Sequence, residues 1–253
     1  MTDLLSPVSH INLAGWYHLI GFGLIIPILA WRTRKQIHNT ARPLPSRLLH
    51  MRSTAGTLLL FGAVSAFVAR RQYIHLFTVR PISLAALGSA FVMYALAVAL
   101  MRPRWRKAVQ KRARIVQLYM PQTFQERLWW ITVAVLAGVS EEITWRGVQT
   151  PLAAAALGGF SGGALFSAAS FGVGHIVQGW RSVVVTALFA LAFQGLVWLS
   201  GSLYTAMIVH IAYDITAGLT YGKLARELGY DIPPTTSSLP AREGKAGSLG
   251  SPS

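Results

Sequence analysis

Seven times between residues 11 and 221 the chain enters an apolar run close to the roughly 20 residues that a helix needs to cross a bilayer's hydrocarbon core. The runs cover residues 11–31, 54–69, 81–101, 128–149, 162–179, 182–199 and 202–221. Lipid offers the backbone no water, so each run must satisfy its own amides, and a helix does so within one segment. The expected fold is all-α: a polytopic membrane bundle of about seven to eight transmembrane helices. The eighth would come from residues 151–160, PLAAAALGGF, which are too short to cross alone and are read as a re-entrant or interfacial connection. Residues 1–231 are expected to form a single membrane-embedded domain. Residues 232–253, rich in Pro, Ser and Gly, have little apolar surface to bury and are expected to be a disordered tail.

Composition agrees, since 53% of the 253 residues are hydrophobic and 12% charged, too apolar a balance for a soluble globule. A net charge of +15 raises nucleic acid as a partner. The Lys and Arg residues, however, gather between the apolar runs: six in 32–52, three in 70–80 and eight in 102–127. That alternation is the signature of membrane topology, and no nucleic-acid partner is expected. It places the N-terminus outside and the C-terminus in the cytoplasm of a multi-pass protein surrounded by membrane lipid. A bacterial cell membrane is the expected location, which the loop charges themselves do not specify. The flank of the first run carries Asp3 and no Lys or Arg, unlike a cleavable signal sequence, so that run is kept as a span. The absence of cysteine excludes disulfides, a thiol nucleophile and thiolate metal ligands.

Against this background the charges inside the runs need a reason. A carboxylate at the bilayer centre costs about 3 kcal/mol on insertion scales and usually faces a partner or a wet cavity. Glu141, Glu142 and Asp214 lie inside apolar runs, together with Arg146, His175 and His210, whereas the first three runs hold only His18. Residues four apart share a helix face. Glu142 and Arg146 can therefore pair along one helix, leaving Glu141, about 100° round the axis, without a local cation. Phe171 shares a face with His175, and His210 with Asp214. The bland alternatives are a neutralised pair at Glu142 and Arg146, a histidine satisfied between helices at His175, and an Asp214 that only orients His210. At about 1.5 Å per residue, Glu141 lies some 20 Å from the inner end of its run and His210 some 12 Å from the outer end of its own, nearly the same depth in a core of about 30 Å. Glycines crowd these motifs, from Gly138 and Gly147 to Gly172 and Gly174, and would let helices approach closely.

The segments EEITWRG, FGVGH and HIAYD resemble the EExxxR, FxxxH and Hxxx(N/D) signatures of the CAAX prenyl protease and bacteriocin-processing family, also called CPBP or Abi. They occur in the family's order on three apolar runs, in a protease-like core of about residues 128–221. The resemblance implies an intramembrane endopeptidase acting on a protein or peptide, lipidated in the type-2 CAAX branch, with roles in maturation or bacteriocin self-immunity. By position it implies Glu141 as general base and His175 as the residue that helps hold the attacking water. His210 and Asp214 fall on the oxyanion-stabilising positions, and Glu142, Arg146 and Phe171 on supporting ones. Relatives commonly carry Asn at the last position, and an ionised Asp214 has no proton to donate. It is left as a protonated donor, an orienter of His210 or a metal ligand. Family members are described both as glutamic peptidases and as metalloproteases. The chain lacks the HExxH pattern that would make a metal specific, so a cofactor-free mechanism is preferred, with zinc on Glu141, His175, His210 and Asp214 as the alternative. A transporter or non-catalytic immunity protein would use the same buried charges without hydrolysis.

Overall fold

Small polar residues mark where most of the long helices begin. Asn12, Ser46, Ser83, Thr123 and Ser202 each turn a side-chain oxygen back to a backbone N–H two or three residues on, satisfying one of the amides that a helix start leaves open. The computed structural model describes residues 8–39, 43–77 and 81–230, so the expected tail lies outside the described residues. α1 (Leu13–Ile20) passes through a π-helical turn (Gly21–Ile25) into α2 (Ile26–His38) as one rod. α3 (Arg47–Arg71) and α4 (Leu84–Gln110) follow, then a short 3-10 connector (Arg114–Tyr119). α5 (Phe124–Glu141) continues through a π-helical segment (Glu142–Gln149) into α6 (Thr150–Ala156). The chain ends its described course with α7 (Phe160–Gly174), a 3-10 turn (Ile176–Gln178), α8 (Trp180–Ser200) and α9 (Leu203–Glu227). Among the described residues there is no strand, and the fold is an all-α bundle.

Four helical rods are long and apolar enough to cross a membrane by length and composition: Leu13–His38, Arg47–Arg71, Leu84–Gln110 and Trp180–Ser200. Their outer faces carry exposed apolar side chains such as Leu60, Phe91 and Leu188, which a membrane protein turns toward lipid. The other three expected spans are helical or largely so, and they hold Glu141, Glu142, Arg146, His175, His210 and Asp214. Two local expectations need correction. Residues 151–160 do not form a separate re-entrant connection, because α6 extends the α5 rod to Ala156 before the chain turns at Gly158 and Gly159, both at positive φ. α7 ends at Gly174 rather than near residue 179, so His175 sits on the helix's C-terminal cap.

The contact that positions the site is the antiparallel packing of α5 on α9. A Cβ at Gly138 would lie 2.5 Å from the Ile211 side chain and 3.1 Å from the Met207 carbonyl, so the helices meet there backbone to backbone. Nearer the start of α5 the Trp130 indole lies over Gly218 and donates to the Asp214 carbonyl at 2.8 Å. The same end is tied to α3: Arg47 Nε donates to Glu126 Oε1 at 2.9 Å, while Glu126 Oε2 accepts from the Gln122 and Thr123 amides. Both side chains of this pair are buried.

Gly218→Ala, which thrusts a methyl into the Trp130 indole, should lower the thermal unfolding midpoint in detergent. Gly195→Ala on α8, where a Cβ meets open space, should leave it unchanged or raise it, the helix-propensity gain being up to about 1 kcal/mol. Equal responses at the two positions would count against the α5–α9 contact.

Candidate active site

Glu141 and Glu142 stand where the α-helical part of α5 gives way to the π-helical segment, and the two carboxylates go to different environments. Glu142 is sealed: its side chain is 0% exposed, Arg146 Nη1 lies 3.2 Å from its Oε1, and His210 Nδ1 donates to the same oxygen at 2.8 Å. The Glu141 side chain is 15% exposed, and its Oε2 lies 3.7 Å from His210 Nε2. Asp214, 28% exposed, turns Oδ2 to that same nitrogen at 3.6 Å. Both of these separations exceed a hydrogen bond. His210 is therefore oriented by Glu142, across two helices, and not by Asp214 one turn away on its own helix. The carboxylate fixes the proton on Nδ1 and leaves Nε2 facing the gap between Glu141 and Asp214.

Arg146 is held by rings as well as by charge. Its guanidinium carbon lies 4.8 Å from the Phe171 ring centre and 5.3 Å from that of Phe193, so α7 and α8 both close on it. Phe193 also stacks on the His210 imidazole, with ring centres 5.4 Å apart. On α7 the Phe171 ring meets the His175 imidazole edge-on at 4.6 Å, and His175 Nδ1 bonds the Phe171 carbonyl at 2.9 Å. A carbonyl only accepts, so the proton is on Nδ1, and the neutral imidazole presents Nε2 as an acceptor. His175 lies within electrostatic reach of His210, Asp214 and Arg146. The structure thus gathers Glu141, Glu142, Arg146, His210 and Asp214 by direct contact, and Phe171 and His175 through the aromatic wall.

Two contributors were not singled out from the sequence. Phe193 lies in a uniformly apolar helix that gives no periodic signal. Tyr119, in the connector outside the spanning helices, bonds Gln178 and feels the charges of Asp214 and Glu141. Burial pushes its phenol up to about 12, so it remains a neutral hydroxyl. As for a metal, no group of three or more His, Cys, Asp or Glu side chains among the described residues is arranged to hold one. His210 Nδ1 is committed to Glu142, and only Nε2 remains toward Glu141 and Asp214. No step is routed through a metal ion.

Residues 123–216 match the family model described as Type II CAAX prenyl endopeptidase Rce1-like. The match supports the CPBP family for this segment. The match opens at Thr123, the N-cap of α5, and closes two residues past Asp214, so it contains every site residue named above except Tyr119 and excludes α1 to α4. No curated protein and no solved structure matches the chain. In general terms the family's activity is that of a CAAX-protease-like intramembrane endopeptidase, and the chain is an integral membrane protein.

Removing one partner of a buried ion pair costs more than removing both. Arg146→Met should destabilise the protein by about 3 kcal/mol in reversible detergent unfolding, because it strands Glu142. Arg146→Met combined with Glu142→Gln should recover much of that loss, since the amide oxygen can still accept from His210. A double variant that loses as much as the sum of its singles would contradict this account of the pair.

Proposed function

We propose that the chain hydrolyses a peptide bond within the membrane by means of a water activated by Glu141, without a metal ion. The observation that carries this reading is the divergence of two adjacent carboxylates. Glu142 is sealed and neutralised by Arg146, whereas Glu141 faces the same partly open space as His210 Nε2 and Asp214. A sealed carboxylate is scaffold, and an accessible one beside an imidazole can act as a base.

The steps follow from where the protons sit. Glu141 takes one proton from water as the water oxygen bonds to the scissile carbonyl carbon. His175 Nε2 accepts a hydrogen bond from that water, which orients its attacking lone pair. The carbonyl oxygen becomes negative and needs a donor within hydrogen-bond reach. His210 Nε2 supplies it when both ring nitrogens carry protons, with Nδ1–H anchored on Glu142 and the ionised Asp214 balancing the added charge. Glu141 then passes its proton to the leaving nitrogen as the C–N bond breaks, giving a carboxylic acid and an amine. The substrate is a protein or peptide presented at the membrane, lipidated substrates included, and the biological role is maturation of such a chain or self-immunity to a bacteriocin. The N-terminus faces outward and the C-terminus the cytoplasm, as the basic loops indicate.

Glu141→Gln keeps the shape and removes the base, and general-base catalysis typically contributes 10²–10⁴-fold. Membranes from cells carrying this variant should accumulate at least one unprocessed protein that wild-type cells cleave, and the purified variant should cleave that protein about 10³-fold more slowly. Equal rates would sink the assignment. Chelator treatment of the wild-type protein should leave the rate unchanged, whereas loss of activity restored by added zinc would replace this mechanism with a metal-dependent one.

A further inference from the structure

The sealed end of the site is also held from the half of the chain that the family match does not reach. His18, on α1, is 2% exposed and bonds on both sides: Nδ1 to Gln149 Oε1 at 2.9 Å and Nε2 to Ser65 Oγ of α3 at 3.0 Å. Ser65 Oγ in turn lies 2.9 Å from Thr144 Oγ1, which reaches the Ser140 carbonyl at 2.7 Å. Gln149 Nε2 donates to the Leu19 carbonyl at 3.2 Å, which fixes the amide's orientation and hence the proton on His18 Nδ1. Ser65 then donates to His18 Nε2, His18 Nδ1 to Gln149 and Gln149 to Leu19, while the single Thr144 hydroxyl proton is divided between the Ser140 carbonyl and Ser65 Oγ.

The path of this chain is the informative feature. It leaves the α5 rod at Thr144, crosses α3 and α1, and returns to the same rod at Gln149, so its two ends lie within the π-helical segment Glu142–Gln149. π-helical turns are rare and appear as local departures from α geometry, often at functional sites. A bridge fastened near both ends opposes relaxation to the α-helical register, which would turn the far end of the segment about the axis relative to Glu141 and the rest of α5. Close packing sharpens the constraint: a Cβ at Gly62 of α3 would lie 2.7 Å from Ser140 Oγ, next to Glu141.

We infer that His18 is a positioning residue whose bridge between Gln149 and Ser65 holds the π-helical segment in the register that sets Glu141 and Arg146 in the site. The catalytic consequence rests on the hydrolytic reading above, while the register itself can be measured without any substrate.

The test uses the purified full-length chain carrying His18→Leu, His18→Asn or Ser65→Ala, followed by amide hydrogen exchange and by cleavage kinetics on the protein found with Glu141→Gln. His18→Leu and Ser65→Ala should each speed exchange in residues 142–149 at least tenfold, with other helices unchanged. They should lower kcat at least tenfold with KM within twofold. His18→Asn, whose amide can still donate to Gln149, should recover part of both. The double variant His18→Leu with Ser65→Ala should be no worse than His18→Leu, because one break already cuts the chain. Unchanged exchange in 142–149, faster exchange throughout the molecule, or wild-type kcat would each overturn the inference. If His18→Leu fails to fold, Ser65→Ala, which deletes one hydroxyl, decides it by the same readings. If the wild-type protein cleaves nothing, the hydrolytic reading fails and the exchange measurement alone decides the register.

Discussion

One carboxylate oxygen organises the centre of this bundle. Glu142 Oε1 faces Arg146 along its own helix and accepts from His210 across the helix pair. Arg146 in turn is flanked by Phe171 of α7 and Phe193 of α8. Four rods thereby converge on one ion pair. In water such a pair would contribute little, but a sealed site makes separating it expensive, because each partner would be left as an uncompensated charge. The arrangement is best understood as fixing which helices meet and at what height, with His210 set as one consequence.

The second constraint is the solvent. Among helices surrounded by lipid, burying apolar side chains supplies little drive for association, and close approach of small residues with polar contacts takes over. Gly138 and Gly218 let α9 lie against α5, and the two side-chain chains, Arg47 with Glu126 at one end and His18 with Ser65 nearer the other, attach α3 to the same rod. The most apolar rods surround this core and turn leucine and phenylalanine outward. The site's charges are thus concentrated on α5, α7 and α9, while α1 and α3 carry polar contacts on their inner faces and apolar side chains on their outer ones.

Much of this was legible in the sequence because it depends on period and cost. Seven apolar runs implied helices, and carboxylates within such runs implied a site, whose EExxxR, FxxxH and Hxxx(N/D) spacings brought the family resemblance. What escaped detection depends on contacts between distant segments. Spacing left Asp214 as one possible orienter of His210, but the partner is Glu142, 68 residues away. Phe193 carries no local signal that it stacks on an imidazole. His18 was visible as the only ionisable residue of the first three runs, yet its partners Ser65 and Gln149 lie 47 and 131 residues further along. Nor does residue pattern distinguish a π-helical segment from an α-helical one, and that left the junction after Glu141 unread.

That junction explains how two neighbouring glutamates acquire different chemistry. Arg146, four residues after Glu142, lies nearly beneath it, as it would in an α-helix, and the π-helical turn, whose backbone bonds reach five residues on, changes what surrounds the pair. The wider turn also offers the Trp145 carbonyl to outside donors, and Ser167 of α7 takes it at 2.9 Å alongside Thr150 at 2.8 Å. α7, which carries Phe171 and His175, is therefore docked on the segment that seals Glu142. Glu141, the last residue of the α-helical part, is left outside this inner packing with its carboxylate toward His210 Nε2. The change of helix type, rather than the pair of acids itself, separates the scaffold carboxylate from the accessible one.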